Sequence, residues 1–507
     1  MEKRQNWASR MTFILAAVGS AVGLGNAWRF PGLASKHGGG AFLLVYLIAM
    51  FVFGVPLLMM EIAIGRKFKR GAVSSMRGIN KKAEAVGWAA TTNAFFIVCY
   101  YAVVYAWVIL MAIMSFKFAG MTGDTAAAST LFADTIETSW TVENYGIPPI
   151  MFVVLILAWG SMYYCIRNGA QSVGKVVKYT VFLPVIFLLV MAVKGLTMNG
   201  AMEGVAKFFT PDFSALKNPA LWVDAVGQVF YSLSIMMAIM FAYGSFLKDD
   251  SNIAVDAIII ALSDLAVSVL AGIVMFSTMG GVGMLDKMSD SGIVTAFIVY
   301  PQAIVNLTGS GVVNAIFGAV FYLCLITLAV DSAFSIVEGV STSIADKFKT
   351  SHKKATQGVV IVAAVISILF ITRAGLAWLD IVDKWANSYN LIIIGILECL
   401  AIGWFFKPSK VLDEVNKNTK KFKMPGWWFL TTVRFIAPIL LAALFGWNLY
   451  DYFVVQGRGY GGYPLWAVIA GGWLTTVIVL ISGFVVKIIV AAKKRKGFEE
   501  EKIIWKD

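Results

Sequence analysis

Histidine is nearly absent. His37 and His352 are the only two in 507 residues, which excludes most chemistry built on an imidazole base or a histidine-bound metal. Cysteine is scarce too. Cys99, Cys165, Cys324 and Cys399 stand singly inside apolar stretches, as packing residues rather than disulfide partners or zinc ligands. No G-x-S-x-G occurs, so His37-Gly38-Gly39-Gly40 lacks the nucleophile that would make it an esterase oxyanion loop. Gly23-Leu24-Gly25 follows no strand and opens no phosphate-binding turn. An enzyme is not expected. Charge is the largest deficit: 14% of residues are Asp, Glu, Lys or Arg, against about 25% in soluble domains.

Hydrophobic residues make up 59% of the chain and the mean hydropathy is +0.78. The sequence is that of an integral membrane protein. Its net charge of +13 does not point to nucleic acid, because the Lys and Arg residues cluster in short loops between apolar spans, as the positive-inside rule requires. Twelve spans are predicted, near 11–36, 41–66, 88–118, 148–166, 172–194, 221–247, 253–281, 313–345, 357–372, 376–406, 428–454 and 463–492. Basic residues precede span 1 and lie between spans 2 and 3, after spans 8 and 10, and at the C-terminus. The connection 120–147 holds four acids and no Lys or Arg. Both termini are therefore expected on the cytoplasmic side of the cell membrane, and no cleavable signal is expected.

Span 1 breaks the apolar pattern. Its stretch Gly19-Ser20-Ala21-Val22-Gly23-Leu24-Gly25-Asn26 holds three glycines and an amide at membrane depth, followed by Arg29 and Pro31. Glycine weakens a helix by about 1 kcal/mol relative to alanine, so the backbone is expected to open there. Open backbone survives at that depth only when buried in protein or lining a wet cavity. Span 6 is irregular as well, with Gln228, Tyr231, Ser232 and Ser234 inside an apolar run. Spans 1 and 6 open two successive blocks of five. Interrupted spans at matching places mark an inverted-repeat transporter with its site between the repeats.

The expected fold is thus an all-α membrane protein of twelve transmembrane helices: a 5+5 inverted repeat with broken helices 1 and 6, plus two extra helices. Its parts are a cytoplasmic segment 1–10, a first repeat 11–194 and an extracellular connection 195–220. A second repeat 221–406 follows, with an extracellular lid 283–309, then helices 11 and 12 in 428–492 and a cytoplasmic tail 493–507. Spans 11 and 12 fall outside the repeats, free for lipid or for a second copy in a homodimer.

Carboxylates inside spans are costly and functional by default. Asp264 follows Ser263 and Asp331 precedes Ser332, and such oxygen pairs suit a hard cation. Glu61 in span 2 is read as an acceptor for backbone N–H groups freed by an opened helix. Arg29 and Asp383 are candidates to pair across an outer vestibule. Tyr101 lies deep enough in span 3 to need a hydrogen-bond partner. Glu338 and Glu398 have no assigned role.

These residues coincide with a known pattern. Ala17 to Pro31, then His37-Gly38-Gly39-Gly40-Ala41-Phe42, Gly54-Val55-Pro56, Gly65-Arg66, Tyr100-Tyr101, Gln228 to Ser234, Asp331-Ser332 and Asp383-Lys384-Trp385 resemble the neurotransmitter:sodium symporter family, above all its bacterial amino-acid members. The likeness runs through spans 1 to 10. It implies two sodium sites. One uses the Ala21 carbonyl, Asn26, Ser232 and Ser263 with the substrate carboxylate; the other uses the Gly19, Val22 and Leu328 carbonyls with Asp331 and Ser332. It implies that Tyr101 and the N–H groups near Leu24 and Gly25 hold the carboxylate. Ala21, Ile97, Tyr231, Ser232, Ser234, Met237, Ser332 and Ile336 complete the substrate site, with Tyr231 as its lid. Arg29, Gln228 and Asp383 would form the outer gate, and Arg4, Asp346 and Trp7 the inner latch.

Four departures from the family pattern matter. Tyr231 replaces a common phenylalanine. Met236 and Ala238 stand where relatives often carry glycine, which predicts a narrower pocket floor and disfavours aromatic substrates. Phe246 replaces a tyrosine of the inner gate, which predicts a looser latch. Asp264 supplies a negative charge where chloride-dependent relatives bind the anion, so chloride independence is expected. The implied activity is sodium-coupled uptake of a neutral amino acid of small to medium hydrophobic side chain. Another zwitterion or an amine is the alternative substrate, and a channel is the rival class, disfavoured because the polar points are isolated rather than a continuous pore.

Overall fold

The computed structural model describes residues 5–289, 291–419, 422–495, 498–499, 501 and 503–505. Among them the regular structure is helical, apart from one isolated bridge between Gly39 and Pro211. Span 1 is a bent pair, Arg10–Ala21 with Gly25–Lys36, whose axes differ by 50°. Spans 2 to 5 are Gly40–Phe68, Glu84–Gly120, Pro149–Ile166 and Ala170–Leu196. Spans 7 to 10 are Ile253–Gly281, Gly311–Phe348, His352–Phe370 and Gly375–Gly403, and spans 11 and 12 are Gly426–Val455 and Leu465–Lys494. Span 6 comes in two pieces, Pro219–Ser232 and Ile239–Ser245. Each is too short to cross a bilayer alone. Twelve spans result, interrupted at the first and the sixth.

Helix starts follow local chemistry. Ser9 Oγ accepts from Thr12 N–H (3.2 Å), Asn218 Oδ1 from Ala220 N–H (3.0 Å) and Asn252 Oδ1 from Val255 N–H (3.2 Å). Each quiets a donor that a helix N-terminus leaves free. Pro149 and Pro219 occupy first turns, where a missing N–H costs nothing.

Spans 3 and 8 pack along one another, and span 8 packs against both interrupted spans. The connection after span 5 holds a helix, Ala201–Phe209, and the one after span 7 holds Gly292–Val305. The latter lies over the second half of span 1, where Phe297 meets Trp28 with ring centroids 5.8 Å apart. Span 12 turns Val477, Ile481, Phe484 and Ile488 outward, an apolar surface suited to hydrocarbon.

Candidate functional site

The helix of span 1 ends at Ala21. Val22 is extended (φ −78°, ψ 96°), and the chain becomes helical again at Gly25. The backbone opens where the glycines cluster, as expected, although none of the three has a positive φ. They serve close approach. A Cβ on Gly19 would lie 2.6 Å from Asp331 Oδ2, one on Gly23 2.6 Å from Ser332 Oγ, and one on Gly25 2.8 Å from the Tyr231 ring.

Asn26 closes the opened turn. Its Oδ1 accepts from Gly23 N–H at 2.9 Å, the reach of a third helical residue back to the cap. Its Nδ2 faces Asp264 Oδ1 (2.7 Å), Ser268 Oγ (2.8 Å), Ser232 Oγ (3.1 Å) and the Asp264 carbonyl (3.4 Å). An amide has two hydrogens, so four oxygens around one Nδ2 exceed what it can satisfy. Asp264 accepts in addition from Ser232 Oγ (2.6 Å) and Tyr46 Oη (3.0 Å).

Span 7 presents Ser268 here, not Ser263. Ser263 is half-buried and absent from this cluster. One residue along a helix turns the side chain about 100°, whereas four residues return it to the same face. Ser268, four after Asp264, carried that signal in the sequence. Tyr46 carried none.

The second cluster lies between spans 1 and 8. Asp331 is 1% exposed, and its Oδ1 has no hydrogen-bond partner. The Ser20 carbonyl, freed at the break, accepts from Ser234 Oγ (2.8 Å) and Ser332 Oγ (3.2 Å). Gly19 faces Asp331 directly, and Leu328 sits one turn before it on span 8. A buried carboxylate oxygen without a donor fits a cation better than any neutral group present.

Between the clusters is a cavity with an empty volume of ≈350 Å³, lined by Ser20, Ala21, Gly23, Asn26, Ile97, Tyr101, Tyr231, Ser234, Met237, Ser332 and Ile336. Leu24, Gly25 and Ser232, expected at the substrate, lie outside this wall; Ser232 belongs to the Asn26 cluster. Met236 does not narrow the floor. In the opened section of span 6 its side chain turns to Gly395 of span 10, while Met237 faces the cavity.

Tyr101 and Tyr231 line both this cavity and a vestibule of ≈1280 Å³. Arg29, Lys36, Asp224, Asp380, Asp383 and Lys384 give the vestibule both charges. The Arg29 guanidinium lies 5.8 Å from the Tyr231 ring centroid. It forms no ion pair within 4.0 Å with Asp383, whose Oδ1 accepts from Asn387 Nδ2 at 2.8 Å. Gln228 Nε2 donates to the Gly25 carbonyl (3.4 Å) rather than meeting Arg29.

The face that carries Trp7 is tightly packed around it. Trp7 is 3% exposed; its indole donates to the Tyr243 carbonyl and its backbone N–H to the Phe246 carbonyl, both at 3.0 Å. Its ring also packs edge-on against Phe246, so that residue closes the face by contact. Asp346 accepts from Gly71 N–H at 2.6 Å. Arg4, its expected partner, lies outside the described residues. In the nearby loop, the Lys69 ammonium 2.9 Å away holds the Asp249 carboxyl below the usual carboxylate range.

An opened helix, a surplus of oxygens, an orphaned carboxylate and a cavity between them are the parts of a carrier rather than of a catalyst. The family model described as the sodium:neurotransmitter symporter family matches residues 4–129 and 123–494, and the chain belongs to that family. It is 36% identical over 504 residues to an uncharacterised sodium-dependent transporter of Methanocaldococcus jannaschii, covering 97% of this chain and 98% of that one. It is 29% identical to the mouse sodium-dependent neutral amino acid transporter B(0)AT3, with 95% of this chain and 91% of that one covered. The crystal structure of MhsT in complex with L-phenylalanine is similar at TM-score 0.74 and 30% identity, covering 87% of this chain and 99% of that one. The protein is a sodium-dependent membrane transporter, and its family is one of carriers, not enzymes.

Proposed function

We propose that the chain imports a neutral amino acid together with two sodium ions, without chloride. The observation that carries this reading is the pairing of two oxygen clusters, at Asn26 and at Asp331, with one cavity between them. The first sodium would sit among the Ala21 carbonyl, Asn26, Ser232 and the Asp264 carboxylate, with the substrate carboxylate beside it. The second would sit among the Gly19, Val22 and Leu328 carbonyls, Asp331 and Ser332. Each cation offsets the burial of a negative charge next to it, so sodium and substrate favour each other's binding.

Tyr101 supports the same arrangement. Its hydroxyl lies 3.7 Å from the Cβ position of Gly23, at the edge of the cavity and next to Ser332, where it would donate to the substrate carboxylate. Ile97, Met237 and Ile336 give the side-chain end an apolar lining. Asp264 supplies the negative charge that chloride provides elsewhere in the family, and Tyr46 and Ser232 hold it in place. The Trp7 face would be cytoplasmic and the Arg29 vestibule extracellular. Loss of the second sodium to the cytoplasm would loosen span 1 from span 8 and let the inner half swing.

A thermal-shift screen of the twenty amino acids, with and without sodium, tests this. A ligand that binds the folded state raises its stability. Neutral amino acids are expected to raise it in sodium only; shifts of equal size without sodium, or none at all, would refute the reading.

A further inference from the structure

Spans 11 and 12 lie outside the repeats, yet together they grip the outer half of span 10. Span 10 runs as a helix over Gly375–Trp385, widens into a π-turn over Ala386–Asn390 and resumes as a helix over Leu391–Gly403. A π-turn departs from the α-helical ladder, and here its support comes from other spans. From span 11, Asn448 Nδ2 donates to the Ser388 carbonyl at 2.7 Å, and the Asn448 carbonyl accepts from Tyr389 Oη at 3.2 Å. From span 12, Thr476 Oγ1 donates to Asn390 Oδ1 at 2.7 Å, while the Gly472 carbonyl is farther from it, at 3.5 Å. From the loop that joins the two spans, Tyr460 Oη and Tyr463 Oη donate to the Asp380 carboxylate at 3.0 and 3.1 Å. Asn93 of span 3 completes the frame. Its Oδ1 accepts from Asn390 Nδ2 at 3.0 Å, and its Nδ2 donates to the Ala386 carbonyl at 3.2 Å.

Asn93, Asn390, Asn448 and Thr476 are all buried, so water does not compete for these bonds, and a lost donor leaves its acceptor unpaired. Polar side chains that bond across membrane helices fix how those helices meet. The same section of span 10 borders the vestibule through Asp383, Lys384, Asn387 and Ser388. There Asn387 Nδ2 bridges Asp383 Oδ1 (2.8 Å) and Tyr100 Oη (3.2 Å). We propose that spans 11 and 12 position the span 10 wall of the vestibule, with Asn448 and Thr476 as positioning residues that hold the π-turn and, through it, Asp383 and Asn387. The inference rests on the transport reading for what the vestibule serves, but its test does not use transport.

Thiol labelling of the purified full chain is that test. The four native cysteines are buried, so Ser388→Cys places one reactive thiol on the vestibule wall and keeps the backbone carbonyl that Asn448 holds. In that background Thr476→Val removes the hydroxyl at nearly constant volume, and Asn448→Ala removes the amide. Each is expected to raise the rate at which a water-soluble maleimide labels position 388 by about tenfold, the effect of one buried hydrogen bond on the balance between two arrangements. Thr476→Ser keeps the hydroxyl and is expected to label at the parent rate. Parent rates in both Thr476→Val and Asn448→Ala, or an equal rise in Thr476→Ser, would overturn the assignment. Labelling that spreads to the native cysteines in both variants would overturn it as well, by showing a role in folding rather than in placing the wall. A wild type that takes up no amino acid in sodium, with the expected labelling pattern intact, would instead sink the transport reading and leave the positioning in place.

Discussion

Spans 1 and 6 are both interrupted at mid-length, yet by different means. Span 1 turns on one extended residue, Val22, and its three glycines make room for Asp331, Ser332 and Tyr231. Span 6 has no glycine between its two pieces. It places Ser234, Met236 and Ala238 in the left-handed region, at φ 54°, 63° and 62°. Each such residue costs about 1–2 kcal/mol, and Glu61 receives one of the freed N–H groups. Glycine content therefore does not decide where a buried helix opens. What decides it is whether neighbouring side chains accept the freed backbone groups and occupy the space.

The comparison breaks most severely at the oxygen clusters. Asn26→Ala and Asp331→Ala are each expected to reduce sodium-driven uptake into proteoliposomes to background, because each removes a group that no neighbour replaces. Glu61→Ala should act on span 6 alone. It orphans Met236 N–H and is expected to lower stability by about 2–3 kcal/mol, read as a drop in thermal unfolding temperature with Asn26 intact.

Gly19→Ala sharpens the contrast on the other side. Its Cβ would press on Asp331 Oδ2, so sodium affinity should fall about tenfold, or 1.4 kcal/mol, in a sodium titration of the folded protein. Asp264→Asn is expected to make uptake chloride-dependent; unchanged uptake without chloride would remove Asp264 from its role. The smallest effect belongs to Ala238→Gly, which relieves one left-handed residue and should stabilise the chain by about 1 kcal/mol. The same exchange in span 1, glycine for alanine, is expected to do the reverse.

Much of the fold was legible because apolar runs of spanning length separated by basic loops leave few alternatives. The broken first span was legible from Asn26, an amide that apolar surroundings do not tolerate unpaired. Glu61 was legible for the same reason, and the structure gives it the Met236 N–H that its burial called for. Ser268 was passed over for Ser263 because adjacency in sequence was taken for adjacency in space, whereas a helix brings residues four apart together. Met236 was read as a pocket residue, but a left-handed backbone follows no helical period, so its direction was not recoverable from spacing. Tyr46 reaches Asp264 from another span, a contact that only the packing of spans 2 and 7 creates.

The most direct test of the opened first span is binding of a radiolabelled neutral amino acid to the purified chain as sodium is varied. Binding is expected to require sodium in the wild type and to vanish in both Asn26→Ala and Asp331→Ala, with both variants folded by their unfolding transitions. Binding that persists in sodium-free medium, or that survives in both variants, would contradict the assignment of cation and solute to the break in span 1.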